Sequence, residues 1–292
     1  MIIIWSFFIN VKSLKSTILI TFISVSFIGS ILLFCVAVNY SRRTVRSISK
    51  DDLFIIADRI DDTISEVIQE KFNYLEYTGN LRTLKDDNVS LQEKNSFIVP
   101  MASNKEKDLI SISYMDKDGN ASLGPNKIVN FSSAPILQMA QKSKKSVIYG
   151  PTKDAITNKL SINICSPVFK QPNDVTGYLL ARLDCKFLCE ISSRIRIGQT
   201  GYAIFIDRNT GNTIGAPQEE DVINDQNLLA IAQSEHYADL EENMNNLLKG
   251  EKGSGYFTIQ GVERVMVYKP IANTNWSVAI ISNEGEFIGK LH

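Results

Sequence analysis

Few residues in this chain could take part in catalysis or hold a metal ion. The 292 residues include two histidines and four cysteines. His236 has no second histidine at a spacing typical of a metal site, so we expect it to lie on a solvated helix face. Outside the apolar amino-terminal segment, the thiols of Cys165, Cys185 and Cys189 form neither a CxxC nor a zinc pattern. One disulfide among them is compatible with the spacing and none is required.

Two short motifs resemble functional patterns, but neither has the context that the chemistry needs. Asp116 and Asp118 are spaced as in a calcium loop, but the EF-hand pattern needs glycine at its sixth position, and Gly119 occupies the fourth. Gly253-Ser254-Gly255 lacks the strand-turn-helix context of a nucleophile elbow. We therefore expect no catalytic residue, no metal site and no cofactor, and we predict that the chain is not an enzyme.

The charge balance argues against a nucleic-acid partner. The chain carries 31 Lys and Arg residues against 32 Asp and Glu residues, for a net charge of -1, and the two signs are interspersed. Binding of DNA or RNA usually needs a basic surface that neutralises phosphates. With 44% hydrophobic residues, the chain can bury the core of one large domain or of two modest ones.

An uncharged apolar segment, residues 17–38, predicts a transmembrane helix. At about 1.5 Å per residue, this segment covers the roughly 30 Å of a bilayer core. The apolar region of a cleavable signal peptide would be only about 7–15 residues long. The other alternative, a buried helix of a soluble core, is disfavoured by the length and the basic flanks. We expect residues 1–16 to form a cytoplasmic amino-terminal segment.

The basic residues around this segment do not set its orientation. Lys12 and Lys15 precede it, and four basic residues follow it: Arg42, Arg43, Arg46 and Lys50. Basic residues concentrate on the cytoplasmic side of a span, so this count alone does not favour an extracellular carboxyl side. No second apolar segment follows in the sequence, so we expect the residues after about Ser41 to share one side of the membrane.

The residues after the apolar segment predict a long amphipathic stalk helix over residues 39–85. Apolar residues recur at steps of three and four and so form one stripe, which comprises Leu53, Ile56, Ala57, Ile60, Ile64, Val67, Ile68, Phe72 and Leu75. Gly79-Asn80 can end this helix. A helix of this kind can serve as the spine of a domain, or can simply pack on its sheet.

Beyond the helix, one strand-turn-strand unit occurs twice. Residues 114–124 (YMDKDGNASLG) are echoed by residues 205–215 (FIDRNTGNTIG), with one residue inserted in the turn. Each copy is followed by a helical stretch and then by long alternating strands. The simplest interpretation is an α+β chain with two antiparallel sheets and helices packed on them. Chance similarity of two hairpins is the weaker alternative, because the downstream order also matches.

Several of these segments resemble the double Cache (dCache) family of extracellular sensor domains. The segments similar to its membrane-proximal module are residues 198–207 (GQTGYAIFID), 255–256, 267–271 (VYKPI) and 275–279 (NWSVA). The segments similar to the last strands of its distal module are residues 158–160, 167–169 and 177–188. The resemblance extends from about Ser41 to the end of the sequence.

The resemblance implies a fold and a role. It implies two tandem PAS-like antiparallel-sheet modules on the long helix, a distal one over residues 86–190 and a proximal one over residues 191–292. Such domains lie outside the cell between two membrane helices and typically belong to bacterial chemoreceptors, the methyl-accepting chemotaxis proteins, and less often to histidine kinases or diguanylate cyclases. We therefore expect an extracellular orientation and a homodimer formed through the long helix. We also expect the sequence to be the amino-terminal portion of a receptor, with downstream signalling partners only if a cytoplasmic region follows.

In this family the distal module usually binds the ligand, but the amino-acid-binding pattern is absent here. Ala134 stands where the resemblance places an Arg that binds the ligand carboxylate, and Ile136 and Leu137 replace its aromatic neighbours. Gly150 and Arg182 stand where two Asp residues would bind the ligand ammonium. The resemblance therefore implies a different ligand.

The alternation of the strand around Arg182 suggests what that ligand is. Tyr178, Leu180, Arg182 and Asp184 share one strand face, opposite an evenly apolar face. A half-buried guanidinium suits an oxyanion, so we expect a small anionic ligand such as an organic acid. The candidate ligand-binding residues are Arg182, Asp184, Tyr149, Phe131, Ser132 and Ser133, the last four on position alone.

Two alternatives remain open. An internal pair between Arg182 and Asp184 would leave an empty or purely structural site. The chain would then be a membrane-anchored structural or adhesion module without a small-molecule ligand, instead of a receptor in which the ligand displaces helices.

Overall fold

The computed structural model describes residues 14–104, 108–122, 124, 127–153, 160–284 and 286. The chain divides into two compact units, an amino-terminal one that ends at Asp51 and a larger one over Asp52–Glu286. Each is described by itself below.

The amino-terminal unit contains the first part of helix α1, whose bounds are Leu14–Gly79. Among the described residues, the segment Ile18–Tyr40 is the one helical stretch with the length and composition to cross a membrane, with a mean hydropathy of 2.5 and none of its residues buried. Its large apolar side chains, such as Phe22 and Phe34, are exposed. The apolar segment predicted from the sequence is therefore helical, and it buries none of its side chains within the protein.

In the larger unit, the remainder of α1 packs one stripe of side chains against the sheets. The buried apolar members are Leu53, Ala57, Ile60, Ile64, Ile68 and Leu75. The helix ends at Gly79, at the Gly-Asn pair that the sequence singles out, and a short helix α2 (Arg82–Lys85) follows. Gly79 packs closely on Val168 and Leu179 of the first sheet, so that any side chain at position 79 would contact these two residues.

The first sheet has six strands in the order β3-β2-β1-β6-β5-β4, and every pair of neighbours is antiparallel. Its strands are β1 (Leu109–Asp116), β2 (Asn120–Ser122), β3 (Ile128–Asn130), β4 (Val147–Lys153), β5 (Leu160–Gln171) and β6 (Asp174–Asp184). Helices α3 (Leu91–Asn104) and α4 (Pro135–Ser143) belong to the same part of the chain.

The second sheet has five strands in the order β8-β7-β11-β10-β9, again antiparallel throughout. Its strands are β7 (Tyr202–Asp207), β8 (Thr213–Gly215), β9 (Gly253–Ile259), β10 (Val262–Pro270) and β11 (Trp276–Asn283). Four helices accompany it: α5 (Lys186–Arg194), α6 (Glu219–Ile223), α7 (Leu228–Ser234) and α8 (Ala238–Leu248). The repeated sequence unit forms the β1–β2 hairpin in one sheet and the β7–β8 hairpin in the other, so the architecture is an α+β fold with two antiparallel sheets.

Helix α3 is attached to β1 through one buried side chain. The Asn95 amide, only 4% exposed, accepts a hydrogen bond from the Tyr114 backbone N–H at 2.8 Å and donates to the Tyr114 carbonyl at 2.9 Å. It also donates to the Leu91 carbonyl at 3.0 Å. Asn95 therefore satisfies the strand edge as a neighbouring strand would.

An ion-pair cluster attaches α1 to the second sheet. Lys269 Nζ on β10 lies 2.7 Å from Asp58 Oδ1 and 2.7 Å from Asp61 Oδ2, and the Lys269 and Asp61 side chains are only 15% and 14% exposed. Asp61 also accepts a hydrogen bond from the Ala272 backbone N–H at 3.0 Å. Lys252 lies farther from Asp58, at 3.6 Å, and is half exposed. Lys269 is therefore the centre of this cluster.

The two sheets contact each other at Gly150, in the middle of β4. The indole N–H of Trp276, the first residue of β11, donates to the Gly150 carbonyl at 2.9 Å, and Trp276 is 1% exposed. Lys153, three residues after Gly150, forms an ion pair with Asp225. A buried indole N–H needs an acceptor, and here the first sheet supplies it.

Candidate functional site

The first sheet carries a polar patch on the face that Arg182 shares with helix α4. The strand register pairs Arg182 on β6 with Ser111 on β1 and with Asn163 on β5, and Asn163 with Tyr149 on β4. Directly paired residues lie on the same face of a sheet. We call Ser111, Asn163, Arg182, Tyr149 and the residues bonded to them the Arg182 face.

A bulge in β4 adds a further residue to this face. The register shifts between Tyr149 and Thr152, so that Tyr149 pairs with Asn163 and Thr152 pairs with Ser161. A β-bulge places an extra residue on one strand and changes which residues share a face. Tyr149 and Thr152, three apart in sequence, consequently both lie on the Arg182 face.

A hydrogen-bond network holds the guanidinium of Arg182. Its Nε donates to Ser161 Oγ at 2.9 Å, and the Ser161 hydroxyl in turn donates to the Thr152 carbonyl at 3.3 Å. Asn163 Nδ2 donates to Thr152 Oγ1 at 3.2 Å. Ser161 is 1% exposed, whereas Arg182 is half-buried. The buried hydroxyl thus orients the guanidinium of a side chain that is itself half-buried.

Helix α4 closes one end of this face with apolar side chains. Its buried residues Ile136, Leu137 and Ala140 pack with a cluster of sheet residues: Met115, Ala121, Cys165 and Tyr178. Partly buried Phe131, Tyr149 and Leu180 pack against the same cluster. Along β6, this face therefore changes from apolar and filled at Tyr178 to polar at Arg182 and Asp184.

A cavity of about 690 Å³ lies beside the polar end, between α3 and β1. Ser111, Ser113 and Ser122 contribute hydroxyl groups to its lining, and Val99 and Ile110 contribute apolar side chains that are 53% and 50% exposed. Ser111 is the strand partner of Arg182, although Arg182 itself is not part of this lining. A volume of this size is in the range of small-molecule sites, which are about 300–1,000 Å³.

The structure brings together some of the residues that the sequence proposes as ligand-binding and separates others. Tyr149 and Arg182 both flank Asn163, and Asp184 follows on the same strand face, with Oδ1 accepting the Lys186 backbone N–H at 2.9 Å. Phe131 packs on the α4 cluster, and its backbone N–H donates to the Gly119 carbonyl at 2.7 Å. Phe131 therefore lies at the apolar end, next to the β1–β2 turn.

Ser132 and Ser133 are exposed at that same end. The Ser132 backbone N–H donates to Asn130 Oδ1 at 2.9 Å, and its hydroxyl bonds to the same oxygen. Met115 pairs with Tyr178 near this turn, whereas Ser111 pairs with Arg182, which is about 13 Å farther along the sheet at the usual rise per residue. The structure therefore does not bring Ser132 or Ser133 beside Arg182.

Sequence reasoning did not identify the partners of Arg182, namely Ser161, Asn163 and Thr152. The sequence does show that Ser161 and Asn163 lie on one face of β5, because these residues and Cys165 are spaced two apart. The register between strands, which makes Asn163 the neighbour of Arg182, is not encoded in one strand alone.

The histidine and cysteine positions do not add reactive groups to the Arg182 face. The prediction that His236 lies on a helix face is wrong: it is exposed in the turn between α7 and α8, with a positive φ of 59°. Cys165, Cys185 and Cys189 are buried and unpaired, and burial raises the pKa of the Cys165 thiol to about 12. No group of three or more His, Cys, Asp or Glu side chains in the described part of the chain could hold a metal ion.

Comparison with known proteins gives one family match. The family profile dCache_1, described as a Cache domain, matches residues 40–291. No curated protein matches the chain.

Solved structures share the fold at low sequence identity. They include the extracellular domain assigned to the histidine kinase mmHK1S-Z2, with a TM-score of 0.63 and 16% identity over 82% of this chain and 99% of that one. The ligand-binding domain of the Pseudomonas fluorescens chemoreceptor CtaA in complex with L-isoleucine has a TM-score of 0.61 and 17% identity over 86% and 99%. That of the Pseudomonas aeruginosa PAO1 amino acid chemoreceptor PctB in complex with L-arginine has a TM-score of 0.57 and 15% identity over 81% and 96%.

These identities are too low to carry residue roles across, and they show the shared two-sheet fold alone. The profile, in contrast, covers most of the sequence, from the membrane-spanning candidate to the second sheet. The chain therefore belongs to the dCache_1 family of Cache domains.

Proposed function

We propose that this chain is the extracellular ligand-sensing part of a transmembrane receptor, and that it binds a small anionic molecule on the Arg182 face of its distal module, residues 86–190. The observation that carries the proposal is the Arg182 guanidinium held by buried Ser161. A guanidinium is a planar cation whose fork of donors suits a carboxylate, and the bond to Ser161 orients it on this face. The uncharged hydrogen-bonding groups of Asn163, Thr152 and Ser111 surround it.

The charge at this position favours an acid over an amino acid. CtaA and PctB, which share the fold, are described in complex with amino acids. Where the amino-acid-binding pattern has an acidic residue, this chain has Arg182, and Gly150 stands in place of the other acidic residue. A ligand ammonium beside Arg182 would be repelled, whereas a second carboxylate would be attracted. We therefore expect organic acids to bind more tightly than amino acids of the same size.

The role as a receptor is supported by several independent features. The apolar helix Ile18–Tyr40 can anchor the chain in the membrane, and the solved structures that share the fold include an extracellular domain of a histidine kinase and ligand-binding domains of chemoreceptors. We place residues 1–16 in the cytoplasm and the two sheets outside the cell, as parts of a homodimer that pairs through α1. The ligand then acts by shifting a pre-existing balance of helix positions, and no catalytic step is involved.

Titration calorimetry of the full chain in detergent micelles tests the site. Mono- and dicarboxylic acids should give saturable binding, and Arg182→Ala should weaken it by about 10- to 150-fold, since a charged hydrogen bond contributes about 1.5–3 kcal/mol. Arg196→Ala is the matched control, because Arg196 is exposed on the chain after α5. Arg182→Lys keeps the positive charge but lacks the planar pair of guanidinium donors, so it should retain part of the affinity.

The alternatives make different predictions. Equal binding by the wild type and Arg182→Ala would remove Arg182 from the site. An absence of saturable binding to any acid or amino acid would favour a ligand-free structural module, in which Arg182 serves only the packing of the sheet.

The downstream output has two candidates. We propose a chemoreceptor, because the structural neighbours CtaA and PctB are chemoreceptors. A histidine kinase is the second candidate, favoured by the similarity to the mmHK1S-Z2 domain. Fusion of residues 1–292, through a second transmembrane helix, to a chemoreceptor signalling region and to a kinase region, followed by assay of ligand-dependent kinase activity in each, would distinguish them.

A further inference from the structure

A second cavity, of about 460 Å³, opens beside the turns that connect β1 to β2 and β5 to β6. None of its lining residues belongs to the Arg182 face. Three lysines, Lys94, Lys117 and Lys170, and four aspartates line it. We call it the Lys94 cavity, because Lys94 differs from the other two lysines in its surroundings.

Lys94 is a buried lysine that forms no ion pair with any residue that the structure describes. It lies in the first turn of α3 and is 5% exposed. The next residue, Asn95, attaches this turn to β1 through its hydrogen bonds to Tyr114. Its Nζ lies 4.7 Å from the ring centroid of Tyr114. Within the part of the chain that the structure describes, the Lys94 ammonium forms no hydrogen bond and no ion pair. Asp87, whose charge has the largest effect of any carboxylate on Lys94, is instead paired with Lys170.

This arrangement makes Lys94 easier to deprotonate than an exposed lysine. Burial lowers the pKa of the Lys94 ammonium, and the nearby Lys170 acts in the same direction, although Asp87 and Asp86 partly oppose them. A buried amine that can lose its proton while it faces a cavity is a nucleophile, as in lysines that form imines with carbonyl compounds.

We propose that Lys94 is a site of reversible covalent capture of small aldehydes, independent of ligand binding on the Arg182 face. The lone pair of the neutral Lys94 amine adds to the carbonyl carbon and forms a carbon–nitrogen bond. The carbonyl oxygen then leaves as water with the two amine hydrogens, and an imine remains. Addition of water reverses the reaction, and no oxidant or reductant is required.

The charges around the cavity favour an aldehyde over a free anion. Four carboxylates face three lysines in the lining, namely those of Asp87, Asp116, Asp118 and Asp174. A dissolved anion would meet these carboxylates, whereas a neutral aldehyde would not. If the imine is protonated, its positive charge stays over the Tyr114 ring, where the ammonium already lies.

Reductive trapping on the full chain tests this proposal. The protein is incubated with propanal and cyanoborohydride for increasing times, and peptide mass spectrometry measures the N-propylation of each lysine. Lys94 should be labelled at least about fivefold faster than Lys117, because the reactive species is the neutral amine. Lys117 is the internal reference, because it is exposed on the same cavity.

A pair of variants provides the control. Lys94→Arg keeps a cation over Tyr114 but cannot form an imine, so the fast labelling should disappear, whereas Lys117→Arg should leave it unchanged. Labelling of Lys94 at or below the rate of Lys117 in the wild type would overturn the proposal, and this comparison does not depend on the folding of any variant. Fast labelling that persists in Lys94→Arg would assign the reaction to a different residue and would also overturn it.

Discussion

Removal of the Lys269 ammonium should loosen α1 from the second sheet. Lys269→Met keeps most of the aliphatic side chain but leaves Asp61, 14% exposed, without its cation. Loss of one partner of a fully buried ion pair costs about 3–5 kcal/mol. Because Asp58 is half exposed and Asp61 keeps its hydrogen bond from Ala272, we expect a smaller loss of about 2–3 kcal/mol in the free energy of unfolding.

Thermal unfolding measures this loss. For a unit of this size, about 2–3 kcal/mol corresponds to a decrease in Tm of roughly 4–12 °C. The buried Trp276 gives a local fluorescence signal once Trp5, the other tryptophan, is replaced by Phe. Lys252→Met is the matched control: its ammonium lies 3.6 Å from Asp58 and is half exposed, so its removal should cost less than about 1 kcal/mol.

The pH dependence gives a second test of the same cluster. The hydrogen bond from Lys269 lowers the pKa of Asp58, and burial only partly offsets it. Burial alone would lower the pKa of Lys269, but the hydrogen bonds to Asp58 and Asp61 outweigh it and raise the pKa. The Asp58 contribution is therefore lost as the pH falls below 3.8, and the Lys269 contribution is lost as the pH rises above 10.5.

The wild type and Lys269→Met should accordingly differ by a constant amount between about pH 5 and 9, and the difference should shrink towards both extremes. A double-mutant cycle with Asp61→Asn isolates the pair, and its coupling energy should exceed about 1 kcal/mol. If Lys269→Met destabilised the protein no more than Lys252→Met, the argument from burial would be refuted.

Two further predictions concern the first sheet. Asn95→Ala should lower the free energy of unfolding, measured by urea titration, by about 2–4 kcal/mol, because the N–H and carbonyl of Tyr114 lose their buried partner. As a control, Gln92→Ala on the exposed surface of the same helix should change the free energy of unfolding by less than about 0.5 kcal/mol. Cys165, with a pKa of about 12, should resist iodoacetamide at neutral pH until the protein is unfolded, and rapid alkylation of the folded protein would contradict its burial.

Much of the fold was predictable because it depends on local patterns. The alternation of Tyr178, Leu180, Arg182 and Asp184 predicts which residues share a face, and the strand register agrees with it. The repeated turn sequences likewise predict two hairpins, because Asp, Asn and Gly supply the bonds and positive φ angles that tight turns require.

The candidate site was less predictable because it depends on contacts between strands. The bulge between Tyr149 and Thr152 breaks the simple alternation of β4, so the sequence alone does not place Thr152 beside Asn163. Ser132 and Ser133 were selected for their position before α4, yet the chain there is held at the β1–β2 turn, because the Phe131 N–H donates to the Gly119 carbonyl and the Ser132 N–H donates to Asn130 Oδ1. The burial of Lys94 likewise requires the docking of α3 on β1, which no local pattern encodes.

The hydrogen bond from Trp276 to Gly150 connects the second sheet directly to the first. Its acceptor is a main-chain oxygen next to Tyr149, and its donor is the first residue of β11, a strand of 8 residues that extends about 25 Å. Because β11 is hydrogen-bonded to β10 on one side and to β7 on the other, this bond joins β4 to the interior of the second sheet. Because the acceptor belongs to the backbone, replacement of neighbouring side chains such as that of Tyr149 leaves the acceptor of this bond in the chain.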